Sequence, residues 1–258
     1  MYIAALDIGG TKTIAAILDE KGTILTKEKF PSVITDYKTH LGLCAESMRR
    51  LMQQMGLTVD KVVGMGVALP GIVDNKKGIL IYAPYADWEH VPVTEFFQSN
   101  LGFSKVQCEN DVNACAIGEQ RFGVGKDYTD FIWMTVSTGV GGAVVESSKL
   151  VRGGYGFAGE LGHLKVEYKK PAHCPCGQYG CLEAHGSGTA LIRETRKRAL
   201  DSPSFAKELE KMGLKADGAG CAVLARAGNQ DALEIIDQIG TYLGRGISYC
   251  INILNTQA

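Results

Sequence analysis

The sequence lacks the features that mark membrane-spanning proteins, secreted proteins and proteins that bind nucleic acid nonspecifically. No apolar run approaches the roughly 18 residues that a membrane helix requires, and the N-terminus, which reaches an acid at Asp7, lacks the basic start of a secretory signal. The 27 basic and 28 acidic residues leave a formal charge of −1, so no broad positive field attracts a phosphate backbone. We therefore expect a cytoplasmic protein that binds neither membranes nor nucleic acid.

The sequence has no low-complexity linker, and most of its cysteines are not arranged as disulfide pairs. Five of the eight cysteines are scattered through apolar or helical stretches, as in a reducing compartment. With 258 residues, 45% of them apolar, the chain can bury one large core or two smaller ones without covalent cross-links. The scattered cysteines are Cys44, Cys108, Cys115, Cys221 and Cys250.

Two familiar nucleotide-binding signatures are also missing. The segment Gly123–Lys126 is followed by Asp127 instead of the Ser or Thr of a Walker loop, and no G-x-G-x-x-G occurs. The chain has instead an excess of glycine: 32 of its 258 residues, or about 12%, are glycine, whereas the average is about 7%. Two of its glycine turns share one design, in which an apolar strand, a glycine turn with hydroxyl residues and a second apolar strand follow one another.

These two glycine turns are candidate phosphate-binding loops. The first follows a predicted strand over Tyr2–Leu6, and the second follows one over Phe131–Val136. Adjacent glycines let several main-chain N–H groups converge on one phosphate, although a glycine pair between strands is also an ordinary tight hairpin. Two such turns at matching places favour phosphate binding, and Asp7 can hold a metal-bound water beside the phosphates. The predicted contacts are Asp7, Gly9, Gly10, Thr11 and Lys12 in the first turn and Thr138, Gly139, Gly141 and Gly142 in the second.

Hydrophobic periodicity predicts most of the other elements. Apolar residues three or four apart predict a helix over Tyr37–Met55, and a continuous apolar run predicts a buried strand over Val62–Leu69, which Pro70 and Gly71 end. From Gly186 onward the chain is predicted to be mostly helical. Further helices are predicted over Val93–Asn100, Asn113–Phe122, Leu191–Leu200 and Asp231–Leu254, and a short strand over Val106–Cys108.

Asn110 and Asp111 lie between a predicted strand and a predicted helix. A carboxylate at this junction can cap the helix. It can also take the proton from a hydroxyl group that is being phosphorylated, with a neighbouring amide orienting the acceptor. The local sequence leaves both roles open for Asp111.

Three cysteines form a cluster with the spacing of a metal site. Cys174, Cys176 and Cys181 place three thiolates within eight residues, which suits a tetrahedral zinc ion that needs one more ligand. His163, His173 and His185 are all close enough in sequence to supply it. Buried thiols or a disulfide are the alternative reading of the cluster.

Five motifs, taken in order along nearly the whole chain, resemble those of the ROK family of sugar kinases and sugar-responsive repressors. They are Asp7–Lys12, Glu109–Ala114, Ser137–Gly142, Gly159–His163, and Cys174–Gly177 together with Cys181–Glu183. The resemblance implies an α/β fold, actin-like and hexokinase-like (ribonuclease H-like), with two domains and a central cleft. It implies a domain over residues 1–118 and another over 119–258, each supplying one hairpin that holds the phosphates of ATP.

The resemblance also implies the roles of individual residues. Asp111 would be the catalytic base, and His163 would be the fourth ligand of a structural Zn²⁺ with the three clustered cysteines. Mg²⁺ would bridge the oxygens of ATP, and the protein would form a dimer or a tetramer. The sugar would be bound by Asn110, Asp111, Glu160, His163 and Glu183.

The sequence departs from the family pattern at its C-terminus. ROK chains continue beyond a helix like Gly240–Leu254 into a strand and a glycine turn that contacts adenosine, whereas this sequence stops at Ala258. The expected function is ATP-dependent phosphorylation of a hexose hydroxyl, that at C6 of glucose or of a related sugar. The alternatives are a sugar-binding protein with impaired kinase activity because of the missing segment, and a ROK regulator without its DNA-binding domain. Residue types alone do not identify the hexose.

Overall fold

Eleven strands and eight α-helices form along the chain in the computed structural model, which describes residues 1–258. The chain divides into two units. The first unit contains residues 1–127 and 152–157, and the second contains residues 128–151 and 158–258. None of the helices combines the length and the apolar character needed to cross a membrane.

The first unit is built on a five-stranded sheet. Its order is β3-β2-β1-β4-β8, with the first three strands antiparallel and β4 and β8 parallel to β1. A separate antiparallel sheet has the order β5-β6-β7. The strands are β1 (Tyr2–Ile8), β2 (Lys12–Asp19), β3 (Ile24–Pro31), β4 (Val62–Leu69), β5 (Ile72–Asp74), β6 (Ile79–Ala83), β7 (Trp88–Val91) and β8 (Val106–Asn110), and the helices are α1 (Tyr37–Gln54), α2 (Val93–Leu101) and α3 (Asp111–Phe122).

The register of the parallel strands brings their carboxyl ends to one edge of the sheet. Asp7 pairs with Ala68, and Leu69 pairs with Asn110. In open α/β sheets this edge is where ligands bind. The sheet therefore positions the first glycine turn and the Asn110-Asp111 junction on the same side of the unit.

Helix α1 confirms the helix predicted over Tyr37–Met55. It begins after Asp36, whose carboxylate accepts the main-chain N–H of Thr39 at 2.8 Å. Its periodic apolar face packs against β2 and β3, with Leu41, Cys44 and Met48 all at most 1% exposed. That face and the sheet form the main core of the first unit.

The second unit is a small sheet followed by helices. Its sheet has the order β11-β10-β9, all antiparallel, and the predicted helical character from Gly186 onward is confirmed. A core centred on Phe205 and Leu224 lies among the last helices. The elements are β9 (Phe131–Val136), β10 (Val140–Glu146), β11 (Lys149–Val151), α4 (Leu182–Gly186), α5 (Gly188–Asp201), α6 (Pro203–Lys211), α7 (Gly218–Arg226) and α8 (Gln230–Leu254).

Leu41→Ala tests the core under α1. We expect the free energy of unfolding of the first unit to fall by about 3 kcal/mol, because a fully buried leucine is replaced by a cavity. The matched control is Leu25→Ala on β3, where leucine is 43% exposed and the expected loss is below about 0.5 kcal/mol. Urea denaturation measures both, and equal losses would contradict the packing of α1 on the sheet.

Candidate active site

The first glycine turn joins β1 to β2 as a tight hairpin in which the carbonyls of Gly9 and Thr11 are held by the protein. The Gly9 N–H donates to the carbonyl of Lys12 at 3.0 Å and closes the turn. Ser32 fixes the turn through two hydrogen bonds. The Ser32 Oγ donates to the carbonyl of Gly9 at 2.6 Å, and the Ser32 N–H donates to the carbonyl of Thr11 at 3.1 Å. The N–H groups of Gly10 and Thr11 have no acceptor within the protein.

The planar geometry of the peptide bond links the held carbonyl of Gly9 to the free N–H of Gly10. A trans peptide directs its carbonyl and its N–H to opposite sides, and the protein has no cis peptide bonds. The Gly9 carbonyl points to Ser32, so the N–H of Gly10 points away from it. Unpaired N–H groups in adjacent turn residues form a site for an anion.

The second glycine turn joins β9 to β10 and repeats this arrangement. Gly188 N–H donates to the carbonyl of Ser137 at 2.7 Å, and Thr189 donates to that of Thr138 through N–H at 3.2 Å and Oγ1 at 2.8 Å. The Ser137 N–H donates to the carbonyl of Gly139 at 2.9 Å. The N–H groups of Thr138 and Gly139 again have no acceptor within the protein.

Two glycines of the second motif lie beyond the turn, on β10. Gly141 pairs with Thr135 and Gly142 pairs with Met134. A Cβ on Gly142 would lie 2.4 Å from Leu161 Cδ1. Gly142 is therefore required for packing, whereas the free N–H groups belong to Thr138 and Gly139.

Asp7 is the penultimate residue of β1, beside the first hairpin. Its side chain is exposed to solvent, but the surrounding protein removes part of the hydration of the carboxylate and so raises its pKa. The nearby Lys12 ammonium lowers the pKa and partly opposes this effect. An exposed carboxylate beside free N–H groups is suitably placed for a hydrated cation. Oxygen ligands of this kind are those that Mg²⁺ prefers.

Asn110, and not Asp111, caps helix α3. The Asn110 Oδ1 accepts the N–H groups of Val112 at 2.9 Å and Asn113 at 3.1 Å. Its Nδ2 donates to the carbonyl of Gly71 at 3.1 Å, which leaves one amide hydrogen unused. The capping reading of Asp111 is therefore wrong, and its carboxylate is available for chemistry.

The half-buried carboxylate of Asp111 has an environment that favours proton uptake. Burial raises its pKa, the N–H of Val112 partly opposes this, and the negative charge of Asp7 raises it further. A general base is most effective when its pKa approaches the working pH. The nearby charge of Asp7 at the sheet edge therefore brings the pKa of Asp111 closer to the working pH.

Tyr85 is a neighbour that sequence reasoning missed. Its ring lies against Gly10, where a Cβ would be 3.1 Å from Tyr85 Cδ2, and its buried hydroxyl has no hydrogen-bond partner. Burial and the charge of Asp111 raise the pKa of Tyr85 to about 12. A buried neutral hydroxyl without a partner beside a carboxylate leaves a hydrogen bond for a water or a ligand.

A second missed group is the ion pair of Glu109 and Arg152. The Arg152 guanidinium donates to Glu109 Oε2 through Nε at 3.0 Å and Nη2 at 2.6 Å. Glu109 Oε1 also accepts Asn113 Nδ2 at 3.1 Å. This carboxylate thereby fastens the segment containing Arg152 to the start of α3, beside a cavity of about 400 Å³.

The structure brings His163 together with the three clustered cysteines. The donor atoms of these four residues lie within 4.8 Å of one another, with Cys176 Sγ 3.8 Å from Cys181 Sγ and His163 Nδ1 3.8 Å from Cys174 Sγ. Tetrahedral ligands at the usual Zn–S distance of about 2.3 Å are separated by about 3.8 Å. The donor set and its spacing therefore fit zinc.

The two rival histidines lie outside this group. His173 stacks edge-on against Tyr179, with ring centroids 5.1 Å apart. His185 Nε2 accepts the N–H of Ala172 at 2.9 Å. Only His163 directs a ring nitrogen at the cysteines, while its other nitrogen lies 3.9 Å from the carboxylate of Glu160.

Glu183 connects the cysteine cluster to the second hairpin. It follows Cys181 by two residues, and its Oε2 accepts the N–H of Val140 at 3.0 Å. A Cβ on Gly139 would lie 2.2 Å from the same oxygen. Glycine at position 139 therefore lets this carboxylate reach the hairpin backbone.

Comparison with known proteins gives one consistent assignment. The sequence profile of the ROK family matches residues 3–258. A glucokinase of Streptomyces coelicolor is 32% identical over 258 residues, which cover 98% of this chain and 78% of that protein. A xylose repressor of Bacillus spizizenii is 27% identical over 257 residues, which cover 100% of this chain and 62% of that protein.

A solved structure extends the likeness to the fold. The ROK family glucokinase of Streptomyces griseus, determined in complex with glucose and AMPPNP, superposes with a TM-score of 0.81 at 31% identity. The match covers 99% of this chain and 81% of that one. It confirms the α/β, actin-like and hexokinase-like fold predicted from the motifs. The chain therefore belongs to the ROK family.

Proposed function

We propose that the protein is a sugar kinase that transfers a phosphoryl group from ATP to a hexose hydroxyl. The observation that carries this proposal is the pair of hairpins in which the N–H groups of Gly10, Thr11, Thr138 and Gly139 have no acceptor within the protein, with the carbonyls of the Gly10, Thr138 and Gly139 peptides held by hydrogen bonds. A glucokinase relative and a solved ROK glucokinase that binds glucose and AMPPNP support it. A coupled assay of ADP release with MgATP and a panel of hexoses tests it, and no turnover with any of them would exclude it.

The nucleotide is held through its phosphates in this proposal. The N–H groups of the two hairpins, together with the hydroxyls of Thr11 and Thr138 and the ammonium of Lys12, offer donors to phosphate oxygens. Asp7 would hold the hydration shell of Mg²⁺. When bound, this ion neutralises charge that develops on the phosphate oxygens. Gly141 and Gly142 support the second hairpin from β10.

Asp111 is the proposed catalytic base. It would accept the proton of the attacking hydroxyl, and the unused amide hydrogen of Asn110 would orient a neighbouring sugar oxygen. Glu160, His163 and Glu183 are the proposed remaining sugar ligands. The acceptor is proposed to be the C6 hydroxyl of glucose or of a related hexose.

Zinc would have a structural role. Bound by His163 and the three clustered cysteines, it would fix the imidazole so that Nε2 faces Glu160. The same site would hold Cys181, and through it Glu183, in place. The proposed zinc therefore orders the sugar ligands without touching the phosphoryl group.

A regulatory function is the second candidate, because a xylose repressor is among the relatives. Such a protein would bind sugar without transferring phosphate. Calorimetric sugar binding in a protein that shows no ADP release would favour this function over the kinase.

Asp111→Asn tests the base. We expect kcat to fall by about 10²- to 10⁴-fold, the usual contribution of general base catalysis, while the dissociation constant of the hexose changes by less than about threefold. Steady-state kinetics and titration calorimetry measure the two quantities. Turnover that stays near the wild-type value would overturn the assignment.

The same substitution also has a signed effect on stability. The pKa of Asp111 is raised in the folded state, so the stability that its protonation contributes is present at low pH and is lost as the pH rises through that pKa. A side-chain amide at this position does not titrate, so Asp111→Asn should raise the melting temperature at neutral pH. The gain should vanish as the pH falls below the unfolded value of about 3.9. Melting curves across this range measure it, and a destabilised variant at pH 7 would be contrary to this electrostatic description.

Cys174→Ser tests the zinc site. We expect the purified variant to lose its zinc and the KM for hexose to rise by about tenfold or more, the scale seen when metal-site support is removed. The control is Cys221→Ser, at a buried cysteine on α7 that faces α8 and lies outside the cluster. Elemental analysis and kinetics provide the measurements. Wild-type protein that carries no zinc after expression in zinc-supplemented medium would refute the site.

A further inference from the structure

A chain of hydrogen bonds lies beneath the first hairpin and ends on its backbone. The Val33 N–H donates to His40 Nδ1 at 3.2 Å, and His40 Nε2 lies 3.0 Å from Thr13 Oγ1. Thr13 Oγ1 lies 2.9 Å from Ser32 Oγ, which donates to the carbonyl of Gly9 at 2.6 Å. His40 and Thr13 are completely buried, with 0% exposure.

The order of protons along this chain has a single solution. The carbonyl of Gly9 can only accept, so the one proton of Ser32 is used there. Thr13 must then donate to Ser32, and Thr13 in turn accepts from His40 Nε2. Because Nδ1 accepts the N–H of Val33, the imidazole is neutral with its proton on Nε2.

Other states of the imidazole would break this chain. A proton on Nδ1 would face the N–H of Val33, and a bare Nε2 would leave Thr13 without its donor. The rings of Trp88 and Phe30 lie 5.8 Å and 6.2 Å from that of His40 and confine it. Burial lowers the pKa of His40, in agreement with a neutral ring.

The hairpin needs this external restraint because its own residues provide little. The peptide that joins Gly9 to Gly10 is flanked by residues without a Cβ, so steric hindrance to its rotation is small. Its carbonyl is fixed by Ser32, and a planar peptide then fixes the direction of the Gly10 N–H. The chain thereby determines where a phosphate-binding donor points.

We propose that His40 is a positioning residue for the nucleotide, acting through Thr13 and Ser32 to hold the Gly9 carbonyl and so to orient the free N–H of Gly10. The inference rests on the proposed function, in which the first hairpin binds the phosphates of ATP. His40 itself contacts neither substrate. Nothing in its local sequence distinguishes it from an ordinary buried residue of α1.

Two substitutions interrupt the chain at different points. Thr13→Val keeps the shape of the side chain and removes its hydroxyl, and Ser32→Ala removes the donor to Gly9. We expect each to raise both the KM and the dissociation constant for MgATP by roughly tenfold, the scale of one hydrogen bond. The KM for hexose should stay within about twofold, and Ser32→Thr, which retains a hydroxyl, should restore most of the affinity for MgATP.

Ser47→Ala is the matched control. Ser47 is also buried on α1, and its Oγ donates to Glu28 at 2.7 Å, away from the hairpin. It should lower the melting temperature as much as Thr13→Val does and leave MgATP binding unchanged. A purely structural role for the chain would make the three variants alike.

The outcomes separate this inference from the proposed function. Wild-type protein that binds MgATP but phosphorylates no hexose would refute the kinase alone, and calorimetry on the variants would still test His40. An active kinase whose Thr13→Val and Ser32→Ala forms bind MgATP normally would refute the role of His40 alone. A wild-type protein that does not bind MgATP would refute both.

A direct observation of the ring provides an independent check. Long-range ¹H–¹⁵N correlation spectra of the wild-type protein at neutral pH should show His40 neutral and protonated on Nε2. A charged ring, or a proton on Nδ1, would overturn the proposed chain even if every substitution behaved as expected.

Discussion

The planarity of the peptide bond sets the direction of the free N–H groups in both hairpins. When a carbonyl in a turn is held by the protein, the N–H of the same peptide must point the other way. Ser32 imposes this on Gly10 in the first hairpin, and Gly188 and Thr189 impose it on Thr138 and Gly139 in the second. Both turns therefore present donors without acceptors, although their supports come from unrelated parts of the sequence.

The supports connect these donors to the other candidate groups. In the first unit, the sheet edge that carries Asp7 also carries Asn110 and Asp111, since the parallel strands end together. In the second unit, Glu183 accepts from Val140 and follows a cysteine of the proposed zinc site. Glu183 therefore acts on the second hairpin through one hydrogen bond, whereas in the first unit the register of the sheet places the candidate groups beside the hairpin.

The sequence predicted the elements with strong periodicity and the motifs with distinctive spacing. Helix α1 and strand β4 follow from their apolar patterns, and His163 is found beside the cysteines as the family resemblance implies. The sheet β5-β6-β7 was missed because its strands are short and interrupted by turns. Asn110 replaced Asp111 as the cap because either side chain suits that position locally.

The residues that support the site could not be found from sequence patterns. His40, Ser32, Tyr85 and Arg152 act through contacts with residues far away in the chain, and no local spacing encodes such contacts. Their identification required the register of the sheet and the path of each loop. The glycines were a visible signal, whereas the groups that orient the glycine backbone were not.

Backbone amide NMR with a nucleotide analogue tests directly whether both hairpins bind phosphate. On addition of AMPPNP with Mg²⁺, the N–H signals of Gly10, Thr11, Thr138 and Gly139 should move together and saturate at one ligand concentration, because phosphate oxygens become their acceptors. Gly42 and Gly240, which lie in helices α1 and α8, should not move. If saturating nucleotide left the N–H signals of either hairpin unshifted, that hairpin would not bind the phosphates.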